Sequence, residues 1–114
     1  TELVIEWAKE LSIFAKSNPI SQLEKTQEEL DETMVALKRL KAAQENPSLD
    51  FVDEEEEISL SLFEAKDGIG DMLVTIIILA EMVGFDTTEC LEAAYNEIKN
   101  RKGKMVNGFF VKES

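Results

Sequence analysis

Apolar residues along this chain recur at three- and four-residue steps nearly throughout, which is the signature of amphipathic helices. Leu3, Trp7, Leu11 and Phe14 predict a first helix over residues 2–16. Ser17-Asn18-Pro19 breaks that pattern. Asn18 suits an N-cap and Pro19 a first helical position, so a second helix is expected to start there. It runs to Gln44 with Leu23, Leu30, Met34 and Leu37 as its main apolar stripe, and Asn46-Pro47-Ser48 ends it.

Residues 46–52 read as a connector. Asp53 and the run Glu54 to Glu57 suit the first turn of a helix, where acids favour the positive end of the dipole. This third helix extends to Val83 and stops at Gly84. From Met72 to Ala80 it is apolar on almost every side, as expected of a central helix. Asp86-Thr87-Thr88-Glu89 has capping-box spacing and opens a fourth helix that stops near Gly103. Asn107-Gly108, set between Met105-Val106 and Phe109-Phe110-Val111, signals a short hairpin. The fold class expected is all-α, a bundle of four to five helices with a C-terminal hairpin or extended tail, in one domain over residues 1–114.

Composition narrows the function. The 114 residues carry 24 acids against 12 bases, a net charge of -12. Such a surface repels nucleic-acid backbones and anionic membranes, so neither is expected as a partner. There is no histidine, which removes Ser-His-Asp triads, Cys-His pairs and the common zinc sites. The single cysteine, Cys90, cannot form an internal disulfide and suits a reducing cytoplasm. Thr1 to Lys16 has neither a basic start nor a continuous apolar stretch, so no secretory leader is expected. The apolar run of the third helix is too short to span a bilayer.

Two groups of carboxylates stand out. On the second helix, Glu29 and Glu32 align with Lys25, Ala36, Leu40 and Ala43 and head a second packed face, while Glu28 and Asp31 fall off it toward solvent. On the third helix, Glu64, Asp67, Asp71 and Thr75 form one stripe that continues to Ile78. A carboxylate beside so apolar a segment needs a partner, and a hard cation held by oxygen ligands is the simplest one. Pairing with a lysine or arginine of a neighbouring helix is the alternative. Gly68 and Gly70 are costly inside a helix and point to close approach of another helix or a ligand. Lys99, Arg101, Lys102 and Lys104 follow Tyr95 and Asn96 and could clamp phosphate, or simply complement a helix C-terminus.

These residues resemble the MazG-like branch of the all-α nucleoside triphosphate pyrophosphohydrolases, the small single-domain type of bacteria and phages. The resemblance covers residues 18–113. It rests on Glu29-x-x-Glu32 within EELDE, on GDMLV, and on the tail AYNEIKNRKGKMVNGFFVKE. It implies a helical bundle assembled as a dimer or tetramer. It also implies Mg²⁺ (or Mn²⁺) as cofactor and hydrolysis of a nucleoside triphosphate to the monophosphate and pyrophosphate. Glu29, Glu32 and Asp71 match the family's catalytic metal ligands. The glutamate that the family places three residues before that aspartate is Gly68 here, so Asp67 is assigned as the fourth ligand, with Glu64 as the alternative. Lys25, Tyr95, Asn96, Lys99 and Arg101 are the nucleotide- or phosphate-binding candidates. Two other readings stay open: a dUTP- or dCTP-specific pyrophosphatase of the same fold, and a non-catalytic helical interaction module.

Overall fold

A computed structural model describes residues 1–45 and 54–113. The expected connector at 46–52, the break at Asn46-Pro47-Ser48 and the helix start at Asp53 lie outside the described residues. The chain is mostly helical, in the order α1 (Glu2–Glu10), α2 (Ile13–Lys16), α3 (Pro19–Glu45), α4 (Glu54–Met82) and α5 (Thr87–Ile98). The strands β1 (Gly103–Val106) and β2 (Phe109–Lys112) then pair antiparallel.

Most boundaries follow local chemistry. Asn18 Oδ1 accepts from the Ser21 amide and caps α3. Asp86 caps α5 by accepting from Thr88 N, one residue short of the amide that a capping box uses. Gly84 adopts φ +83 at the end of α4, and Asn107-Gly108 adopts φ 50 and 83 in the hairpin turn, the left-handed pair that a tight two-residue hairpin requires. The first expected helix is corrected. It breaks at Leu11-Ser12, where Ser12 takes a left-handed φ of 60, so α1 and the one-turn α2 run separately. Helix α5 also stops earlier than expected, at Ile98, and Gly103 opens β1.

The body of the molecule is α3 packed along α4, with α1 against α4 and α5 meeting α4 near their junction. The face of α3 that packs is not the apolar stripe read from the sequence. Leu23, Leu30, Met34 and Leu37 are all exposed, whereas Gln22, Glu29, Thr33 and Ala36 are buried. Helix α4 answers with Ser61, Ala65, Gly68, Thr75 and Ile78. Small side chains on both helices let the backbones come close, and polar side chains then bond across the seam. Gln22 Nε2 donates to the Thr75 carbonyl (3.1 Å) and the Thr26 hydroxyl to Thr75 Oγ1 (2.8 Å). Of the two glycines, Gly68 provides close approach, because a Cβ there would run into Thr33 Oγ1, while Gly70 faces open space.

This arrangement leaves many large apolar side chains outside. Leu60, Leu62, Phe63, Ile69 and Leu73 of α4 are each 45 % or more exposed, and the residues of α5 and the hairpin are exposed almost throughout. Helix α5 leaves α4 at 97°. The radius of gyration is 18.3 Å, against about 13 Å for a compact chain of this size. Among the described residues no single helix is long and apolar enough to cross a membrane.

Candidate functional site

The two acidic helices meet where α3 and α4 pack, and their carboxylates line two clefts that share Asp71. One cleft, of about 220 Å³, is lined by Glu32, Glu64, Asp67, Gly68 and Asp71, with Phe63 and Ala36 among its apolar walls. The other, of about 280 Å³, lies between α1, α3 and α4 and carries Lys25, Glu29 and Asp71 with Trp7, Gln22 and Val74. The expectation that Glu29 lies on a packed face of α3 holds, since its residue exposure is 9 %. Glu32, expected on that face, is exposed and lines the smaller cleft. Glu28 and Asp31 are exposed, as expected.

Glu29 is the least satisfied of these acids. Its Oε1 lies 3.5 Å from Lys25 Nζ, but its Oε2 is buried with no hydrogen-bond partner. A buried carboxylate oxygen without a donor is costly, so this position calls for a cation or a donor. The other such atom among the described residues, Ser61 Oγ, lines neither of the two clefts. Asp71 holds its proton more tightly than an ordinary aspartate. Partial desolvation is the main cause, followed by the charges of Asp67 and Glu29, with Lys25 opposing them. Lys25 is stabilised as a cation by hydrogen bonds and charge from Glu28 (3.1 Å) and Glu29.

Glu64 and Asp67 differ in their partners. Arg39 of α3 reaches Glu64 through Nη1 at 3.1 Å and Glu57 through Nη2 at 3.4 Å, so Glu64 is already charge-paired across the helices. Among the described residues no such ion pair involves Asp67, and its charge is felt by Asp71. Among the described residues no three Asp, Glu or Cys side chains converge closely enough to hold a metal ion by themselves. Tyr95, Asn96, Lys99 and Arg101 line neither acidic cleft. They lie on or just after α5, exposed, with Lys99 Nζ 3.4 Å from Asn96 Oδ1 and Arg101 paired to Glu97 at 3.7 Å.

The sequence reading passed over Trp7 and Gln22 as site residues. The only available signal was Trp7 in the apolar stripe of the first helix, which reads equally well as core. A further cleft of about 280 Å³ lies between the start of α1 and the α4–α5 junction, but its Asp86 carboxylate is committed to capping α5. No family model matches the chain, and no curated protein or solved structure matches it.

Proposed function

We propose that this chain is a Mg²⁺-dependent hydrolase that cleaves nucleoside triphosphates to the monophosphate and pyrophosphate. The observation that carries this reading is the buried, partnerless Oε2 of Glu29 on the α3–α4 seam beside Asp71, whose carboxyl holds its proton more tightly through desolvation first and the charges of Asp67 and Glu29 second. Both features describe a site short of positive charge. Magnesium keeps several of its waters and takes one or two protein carboxylates together with substrate phosphates, so a pre-closed cage of acids is not required. The donor set of Glu29, Glu32, Asp67 and Asp71 is all oxygen and fits such an ion.

In this reading Asp71, shared by the two clefts, would hold the cation together with Glu29 on one side or Asp67 and Glu32 on the other, directly or through retained waters. Bound Mg²⁺ supplies charge neutralisation for the phosphate oxygens and a template for in-line displacement. Glu32 also orients the attacking water and accepts its proton. The water oxygen bonds to the α-phosphorus as the bond to the bridging oxygen breaks, and pyrophosphate carries away the electron pair. Lys25, kept cationic by its two glutamates, lines the cleft that carries Glu29 and Asp71 and would offset their charge beside a nucleotide. Asn96, Lys99 and Arg101 lie outside both acidic clefts, and a second copy of the chain would bring them to such a substrate. A homo-oligomer is therefore part of the proposal, and the exposed apolar faces of α4 and α5 support it.

Product chromatography tests the reaction. Incubation of ATP and dNTPs with protein and Mg²⁺ is expected to yield monophosphate and pyrophosphate in equal amounts. Release of diphosphate and orthophosphate would place attack at the γ-phosphorus and reject the assignment. The same panel separates broad activity from a pyrophosphatase restricted to dUTP or dCTP.

A further inference from the structure

Trp7 is an unexpected residue to find beside two carboxylates. Helix α1 turns Ala8 into the core at 0 % exposure, and Trp7, the next residue round, is left 48 % exposed. The indole is not stranded on an open surface. It lines the 280 Å³ cleft with Ile13, Val74 and Ile78 on the apolar side and Lys25, Glu29 and Asp71 on the charged side. A shallower apolar hollow formed by Leu3, Val4 and Val74 meets it at Trp7 and Asp71. The cleft is thus amphipathic, with Trp7 and Asp71 both on its lining and both on that of the neighbouring hollow.

We infer that this cleft is the nucleobase pocket and that Trp7 is its stacking residue, a specificity group resting on the hydrolase reading above. Asp71 lines both clefts, so a base held at Trp7 and phosphates held among the acids belong to one continuous path. The neutral polar groups of the pocket, Gln22 Nε2 and the Thr75 hydroxyl, are committed to bonds within the protein. Gln22 Nε2 donates to the Thr75 carbonyl, the Thr75 hydroxyl donates to the Met72 carbonyl at 2.7 Å and accepts from Thr26. Groups committed in this way read base edges poorly, whereas stacking accepts any base because every base has a π-face. Stacking at Trp7 therefore favours a nucleotide over inorganic polyphosphate and tolerates any base.

Trp7 is the only tryptophan in the chain, so its fluorescence reports this pocket alone. Wild-type protein in Mg²⁺ buffer is titrated with AMP, CMP and inorganic pyrophosphate, with excitation at the red edge of the indole band. Saturable quenching by both nucleotides and none by pyrophosphate is expected. In steady-state assays with ATP, Trp7→Ala should raise KM about tenfold with kcat little changed, and Trp7→Phe should restore most of the loss. Emission unmoved by nucleotides in a protein that still hydrolyses ATP overturns the pocket alone. Equal quenching by pyrophosphate overturns it too, since phosphate and not base would then sit at Trp7. Quenching by AMP and CMP without hydrolysis keeps the pocket and rejects the hydrolase reading. Neither quenching nor hydrolysis rejects both. If Trp7→Ala does not fold, the wild-type titration decides.

Discussion

Thr33 of α3 sits against the bare Cα of Gly68 on α4, and a single added methyl at Gly68 would collide with the threonine hydroxyl. That hydroxyl is itself fixed by donation to the Glu29 carbonyl at 2.7 Å. A side chain at residue 68 therefore has no room between the two helices, and on the proposed reading the acids of α4 that serve the cleft are Asp67, Asp71 or Glu64.

Gly68 and Gly70 offer a matched test. Gly68→Ala should destabilise the fold, because overpacking costs about 1–3 kcal/mol and exceeds the roughly 1 kcal/mol that alanine gains over glycine in a helix. Gly70→Ala, with nothing near its Cβ, should gain that amount. Urea denaturation measures both, and stabilisation of both would mean that the Thr33 contact does not constrain the helices.

Asp71→Asn should lower activity by about two orders of magnitude or more, the scale at which one charge-stabilising group contributes. It should also stabilise the metal-free protein at neutral pH. The native state holds the Asp71 proton more tightly than the unfolded chain does. On this residue's account, stability therefore falls as pH rises through the window above the ordinary value of 3.8. The advantage of Asn should shrink as pH is lowered through that window. Thermal melts of both proteins across pH, without metal, give the comparison.

The fourth ligand is separable by mutation. Glu64 is engaged by Arg39, whereas Asp67 lies one turn before Asp71 on α4, lines the same cleft and raises the Asp71 pKa by its charge. Asp67→Ala should raise the Mg²⁺ concentration for half-maximal activity about tenfold or more, and Glu64→Ala should change it far less. The reverse order would assign the position to Glu64.

Ser12 occupies a left-handed conformation that costs a non-glycine residue about 1 kcal/mol. Ser12→Gly should therefore leave stability unchanged or slightly raised in a chemical melt. A large loss would show that the Ser12 side chain holds the α1–α2 corner.

Sedimentation should show an oligomer at micromolar concentration. Leu30, Met34 and Leu37 on α3 and Leu62, Phe63 and Leu73 on α4 are too large an exposed apolar set for an isolated chain of this size. Substituting Phe63 and Leu73 with charged residues should shift the population toward monomer, and a stable wild-type monomer would remove this part of the proposal.

Helix limits were legible because they are local events. Asn18, Asp86, Gly84 and Asn107-Gly108 act on backbone groups within a few residues, so short windows of sequence suffice to place α3, the end of α4, the start of α5 and the hairpin. The acidic character of Glu29 and Asp71 was equally plain, since each interrupts or adjoins an apolar pattern. The second packed face of α3, with Glu29 and Ala36, was legible too, but that the main apolar stripe stays outside was decided only in three dimensions. Leu23, Leu30, Met34 and Leu37 have the greater hydrophobicity, but Gln22, Thr33 and Ala36 allow the closer approach to Gly68 and Thr75, and fit prevailed over apolar area. The break at Ser12, the pairing of Glu64 with Arg39 twenty-five residues away, and the cleft that brings Trp7 toward Asp71 likewise depend on distances between elements. Periodicity along one helix carries no information about them.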